Sequence, residues 1–129
     1  MKYLVLLVLV FVTFSTTNDG IVNTVWTLKV ADRCVNILKF LPKNKITEYS
    51  CEIDYTTKGI YKFSKDTLIV TMADDSHDED GGKITHYISK YFLTRNRTKL
   101  YTLTTQEIAW NRSWPIKFVN SFCDYKRIK

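Results

Sequence analysis

Gly59-Ile60-Tyr61-Lys62-Phe63-Ser64-Lys65-Asp66-Thr67-Leu68-Ile69-Val70-Thr71 reads as two short strands joined by a tight polar turn. Gly59, Tyr61 and Phe63 share one face of the first strand. Leu68, Val70 and Met72 share one face of the second. Both runs alternate with polar or solvent-tolerant residues, the period-two pattern of a half-buried antiparallel pair.

Similar runs lie on either side. Val25 to Val30 puts Trp26, Leu28 and Val30 on one face and Thr27 and Lys29 on the other. Val35 to Leu41 follows, and then Ile46 to Tyr55, in which Tyr49, Cys51, Ile53 and Tyr55 oppose Glu48, Ser50 and Glu52. Downstream, Lys83 to Thr94 forms a long Tyr-, Ile- and Phe-rich strand with a bend or bulge. It pairs with Lys99 to Thr105 across Arg95-Asn96-Arg97-Thr98, and Ile116 to Val119 and Asp124 to Ile128 close the chain. A helical turn is assigned only to Thr104 to Asn111. Seven or eight short strands with hairpin connections and scarce Gly and Pro predict an all-β domain, either an up-and-down barrel or a sandwich.

The beginning of the chain has a different character. Met1-Lys2 precedes an apolar run from Leu4 to Phe14, and small residues Ser15-Thr16-Thr17 follow. The run is shorter than the about 20 apolar residues that span a bilayer. Residues 1–15 are therefore expected to be a secretory signal peptide, cleaved after Ser15 or Thr17, with 16–23 a flexible lead-in and 24–129 the folded domain. No Cys lies near the cleavage point to mark a lipoprotein, and no later segment is apolar enough to span a membrane. The expected location is secreted or periplasmic.

The chain carries 19 Lys and Arg against 13 Asp and Glu, a net charge of +6. The excess gathers at Arg95, Arg97 and Lys99 and at Lys126, Arg127 and Lys129. No nucleic-acid reading motif accompanies this charge, so a solvated basic surface is expected rather than a nucleic-acid partner.

Export places Cys34, Cys51 and Cys123 where disulfides persist. Three cysteines allow three single pairings. A turn centred on Lys43-Asn44 within Pro42-Lys43-Asn44-Lys45 brings Cys34 and Cys51 within about two positions of facing each other, which ranks that pair first. Cys123 is then a buried free thiol or a link to a second chain. No C-x-x-C spacing supports a metal site.

The acidic stretch Asp74-Asp75-Ser76-His77-Asp78-Glu79-Asp80-Gly81-Gly82 partly imitates a calcium loop. The position that needs a bidentate Glu holds Tyr87, so a solvated loop is expected and no metal or cofactor is assigned. Asn96-Arg97-Thr98 and Asn111-Arg112-Ser113 fit the glycan acceptor pattern.

Several of these segments together resemble a known family. Trp26-x-Leu28 lies on the first strand; Phe40, a polar turn and Thr47-x-Tyr49 follow; then come Gly59-x-Tyr61-x-Phe63 and Asp66-Thr67-Leu68-x-Val70-Thr71, with Cys34 and Cys51 flanking the second and third strands. In this order they resemble the small lipocalin-like domains of the calycin group, common among exported proteins of Bacteroidetes-type bacteria. The resemblance covers about residues 24 to 128 by element order. It implies an up-and-down antiparallel barrel of about eight strands with one open end, and larger relatives hold small apolar ligands inside. It also implies an Arg of the last strand lying against the first-strand Trp, a part that falls to Arg127. The G-x-W of lipocalins is absent, since Gly20 stands six residues before Trp26.

Three function classes follow. A binding module for a small apolar ligand would use the inward residues Trp26, Leu28, Tyr49, Tyr61, Phe63, Leu68, Val70 and Phe92. Of these, Trp26, Tyr49, Tyr61, Phe63 and Phe92 are the candidate ligand contacts, although apolar strand faces are ordinary core by default. An interaction or inhibitor domain with a filled barrel would act through surface loops such as Asn111-Arg112-Ser113-Trp114-Pro115. An enzyme would need a constellation that His77, His86 and Cys123 do not supply by any motif, so no catalytic residue is assigned.

Overall fold

The computed structural model describes residues 20–74, 85–109, 112–113, 115–118 and 124–129. The described residues form ten strands: β1 (Val25–Ala31), β2 (Cys34–Leu41), β3 (Lys45–Ser50), β4 (Tyr55–Ser64), β5 (Thr67–Asp74), β6 (Thr85–Leu93), β7 (Lys99–Ala109), β8 (Arg112–Ser113), β9 (Lys117–Phe118) and β10 (Asp124–Arg127).

Strands β1 to β7 meander, each pairing antiparallel with the next. The last three strands lie along the free edge of β7. Ser113 faces Ile108, Phe118 faces Thr104, and Tyr125 faces Leu100. They trace one interrupted return strand. Its final piece, β10, also pairs with β1 through Trp26–Arg127 and Thr27–Lys126, which closes the sheet into an eight-stave barrel. Closure removes the exposed edges that an open sheet would present.

The hairpin of β4 and β5 alternates as the sequence predicts. Tyr61 faces Val70, Phe63 faces Leu68, and Ser64 faces Thr67, leaving Lys65-Asp66 as the turn. Lys65 has φ 54°, so a non-Gly residue occupies the left-handed region that tight hairpins require. Gly59 is needed for close approach. A Cβ there would lie 2.7 Å from the Met72 sulfur and crowd the Thr71 carbonyl oxygen.

Two expected elements differ. The run Ile46 to Tyr55 is not one strand: β3 ends at Ser50, Cys51 to Asp54 form a turn, and Tyr55 opens β4 opposite Ser50. Asp54 reverses the chain at φ 49°, and Ile53 stands 61 % exposed at the turn. Residues 104–109, expected to contain a helical turn, continue β7 instead. Thr104 to Ile108 pair with Lys90 to His86 in the β6 ladder, which outweighs a single turn of helix.

The Cys34–Cys51 disulfide is present, with Cα atoms 5.3 Å apart. It ties the start of β2 to the turn after β3.

The buried core is continuous: Met72 extends it toward the end of β5, Leu28 and Tyr87 pack against it, and most of it lies in the half that residues 20–23 close. Trp26, Leu38, Phe40, Ile46, Tyr61, Leu68, Val70, Tyr91, Leu100 and Tyr125 are buried there. Trp26 meets Phe40 edge-on at 6.2 Å, and Phe40 meets Tyr61 edge-on at 5.0 Å. Fully burying side chains of this size contributes on the order of 1.5–3 kcal/mol each. Residues 20–23, expected as the end of a flexible lead-in, form a turn that seals this half, with Ile21 1 % exposed. The Asn23 N–H donates to the Phe40 carbonyl, and the Phe40 N–H donates to the Thr24 carbonyl. The buried indole N–H of Trp26 donates to the Thr24 hydroxyl at 2.7 Å, and that hydroxyl donates to the Ile21 carbonyl. These bonds satisfy polar groups that burial would otherwise leave costly.

Candidate functional site

The sealed half accounts for three of the five candidate ligand contacts. Trp26 and Tyr61 are 0 % and 2 % exposed, and Phe63 packs against them. They fill space by packing on one another. The Tyr61 hydroxyl has no hydrogen-bond partner among the described residues, and burial holds its proton more tightly than usual.

The other two candidates point outward. Tyr49 pairs with Ile37 and Thr56 on the outer face, and its hydroxyl donates to Asp54 Oδ1 at 2.9 Å. Parity is the reason. Ile46 faces both Phe40 and Gly59 inside the barrel, so Glu48, two residues on, must also point inward and Tyr49 outward. Phe92 is 41 % exposed because its neighbour Tyr91 takes the inward place opposite Leu68. Tyr91 is buried and meets Tyr125 edge-on at 6.2 Å.

Beyond the apolar half, the inward positions change character. Asn36, Glu48, Thr57 and Ser89 come from four different strands, are half-buried, and follow the inward partners Leu28, Leu38, Glu48 and Val70 in register. Thr105 and Glu107 of β7 occupy matching positions opposite Ser89 and Tyr87. At the junction of the two halves, the Tyr125 hydroxyl donates to Glu48 Oε1 at 2.6 Å. Asn36 also hydrogen-bonds the Tyr125 hydroxyl, and Ser89 hydrogen-bonds Tyr91. Asn36 is itself held, because the Cys51 N–H donates to its Oδ1 at 3.0 Å. A chain of polar contacts thus runs from the disulfide turn through Asn36 and Tyr125 to Glu48.

The electrostatics follow from this placement. Burial raises the Glu48 carboxyl above its ordinary value, while the hydrogen bond from Tyr125 works the other way. Burial, and then the Glu48 charge, push the Tyr91 and Tyr125 hydroxyls up. Among the described residues no Lys, Arg or His forms an ion pair with Glu48; the pair seen there is Lys29–Asp32 on the surface, at 3.2 Å. The site therefore offers a carboxylate with no countercharge among the described residues, flanked by two phenol groups, a hydroxyl and an amide. It can accept hydrogen bonds and favour positive charge.

None of this cluster was singled out in the sequence. The available signal was the two-residue count from Ile46, which places a Glu on an apolar face.

Arg127 stands opposite Trp26 in register. It donates from Nη1 to the Gly20 carbonyl at 3.3 Å, at the sealed end. A shallow depression at the β6–β7 hairpin is lined by Thr94, Arg95, Asn96, Thr98, Lys99 and Tyr101. There Asn96 Oδ1 accepts from the Thr94 and Thr98 hydroxyls at 2.7 and 2.8 Å. The signal peptide, the calcium-like loop at 75–82, His77, Asn111, Trp114 and Cys123 lie outside the described residues. Among the described residues no helix is long and apolar enough to cross a membrane.

No protein-family model, no curated protein and no solved structure matches this chain. The closed eight-stave antiparallel barrel is consistent with a lipocalin-like fold.

Proposed function

We propose that this chain is an exported, non-enzymatic binding module that takes a small organic ligand into the barrel half opposite the Ile21 turn. The observation that carries this reading is the divided interior. The half at the Ile21 turn is lined by apolar and aromatic side chains, while the other sets half-buried polar groups around Glu48 beside Leu28, Met72 and Tyr87. A purely structural barrel gains nothing from desolvating an unpaired carboxylate, whereas a binding site does. The small apolar ligand of the family resemblance is narrowed accordingly: an apolar body fits against Leu28, Met72 and Tyr87, and a polar end meets Glu48. The disulfide supports a secreted or periplasmic location.

A second reading rests on the outer face. Phe118 is 81 % exposed beside β7, and Phe92 and Leu103 are each 41 % exposed on the neighbouring strands. Apolar side chains displayed in this way favour contact with a protein partner.

Native mass spectrometry of the protein purified from its source separates the two readings. The ligand reading expects a retained small molecule that is lost on denaturation. A bare chain or a protein complex would count against it, and the complex would favour the outer face.

A further inference from the structure

We propose that the ligand is a small organic cation whose ammonium group pairs with Glu48 inside the barrel. This inference rests on the binding reading above and specifies the ligand's charge.

Glu48 points inward between Leu38 and Thr57, and among the described residues its hydrogen-bond donor is the Tyr125 hydroxyl, 2.6 Å from Oε1. A carboxylate offers two oxygens and about four acceptor sites, so one phenol leaves capacity over. The inward positions nearby hold Asn36, Thr57, Ser89, Tyr91 and Tyr125 and, among the described residues, no basic one, although the chain as a whole is strongly basic. Lysines are abundant on this protein, and Lys29, Lys39, Lys45, Lys58, Lys62 and Lys90 all fall on the outward parity of their strands. Glu107, also on an inward position of β7, adds acidic character at the end away from the Ile21 turn.

The other charge classes fit less well. An anionic ligand would meet Glu48 with like charge in a partly desolvated site, which is costly. A neutral ligand would bury the carboxylate further without compensating it. An ammonium group supplies the missing countercharge and up to three donors. The phenol and alcohol oxygens of Tyr91, Tyr125 and Ser89 are the remaining acceptors, and aromatic faces beside the carboxylate also favour a cation. The Asn36 link to the Cys51 turn holds the Tyr125 hydroxyl in place before any ligand arrives.

The test is isothermal titration calorimetry of the oxidised chain with three probes of similar size: 2-phenylethylammonium, 2-phenylethanol and 3-phenylpropanoate. The cation is expected to bind roughly tenfold or more tighter than the alcohol, with the anion weakest. Glu48→Gln should cut cation affinity by about the same factor and leave the alcohol within about threefold. It should not lower the thermal midpoint, a combination that a purely structural Glu48 would not produce. If the alcohol or the anion binds as tightly as the cation, or Glu48→Gln leaves cation affinity unchanged, the cation proposal is overturned while the binding module stands. If none of the three binds and native mass spectra show no retained molecule, both are overturned. The comparison of probes on the unsubstituted chain decides the matter even if the variant does not fold.

Discussion

The two halves of this barrel are built from the same strands yet obey different rules. In the sealed half, each stave contributes an apolar residue, and the Ile21 turn closes the end with hydrogen bonds that leave the Trp26 indole satisfied. In the other half, the same inward parity delivers Asn36, Glu48, Thr57 and Ser89. A period-two pattern fixes which residues point inward, but it does not require them to be apolar. The stability of the fold is concentrated in the first half. That lets the second half carry a desolvated carboxylate, because core packing elsewhere offsets its cost.

Four substitutions probe this division, from the largest expected effect to the smallest. Trp26→Ala removes the largest fully buried side chain from the sealed half. It should lower stability by about 3–5 kcal/mol in urea unfolding. A loss under about 1 kcal/mol would mean that the half is not the stability centre.

Replacing Cys34 and Cys51 together with Ser opens the covalent link at the other end, between residues 17 apart. The chain-entropy account gives a loss of roughly 3 kcal/mol. Amide exchange should quicken around Asn36 and Glu48 more than around Phe40 and Leu100. Uniform quickening would erase the distinction between the halves.

Glu48→Gln should act in the opposite direction. The folded carboxyl holds its proton more tightly than its ordinary value near 4.5. Its contribution to stability is therefore greatest below that value, declines as pH rises through the window up to the raised folded value, and stays lost above it. Gln keeps a hydrogen-bond acceptor and sheds the charge, so at neutral pH the variant should be about 1 kcal/mol more stable, with a flatter pH profile. Destabilisation at pH 7 would show that Glu48 serves the fold.

Phe92→Ser should change stability by less than about 0.5 kcal/mol, because the ring stands on the outer face. A large loss would restore Phe92 to the interior and shift the parity of β6.

Much of the fold was legible. The Gly59 to Met72 hairpin carries a clean alternation bounded by a polar turn, and its register appears as the pattern predicts. The disulfide followed from the position of the Lys43-Asn44 turn, whose residues both adopt positive φ. The candidate site was less legible for a physical reason. Sorting side chains by polarity sends Tyr49 and Phe92 inward and Glu48 outward, whereas the ladder sends them the other way. On β3 the turn at Cys51 to Asp54 leaves only six strand residues, so Ile46 alone sets the parity. On β6 Tyr91 and Phe92 are adjacent aromatics, and only the pairing with Leu68 selects between them. Tyr125 lies more than seventy residues from Glu48 along the chain and meets it only through barrel closure. A contact of that kind leaves no local trace in the sequence.

The most direct test of the divided interior is a two-dimensional amide and side-chain NMR titration of the oxidised protein with 2-phenylethylammonium. A divided interior predicts shifts centred on Asn36, Glu48, Ser89, Tyr91 and Tyr125, with Ile21, Trp26 and Phe40 unmoved. Shifts centred on Trp26 and Ile21, or confined to outer-face residues such as Phe92 and Phe118, would contradict it.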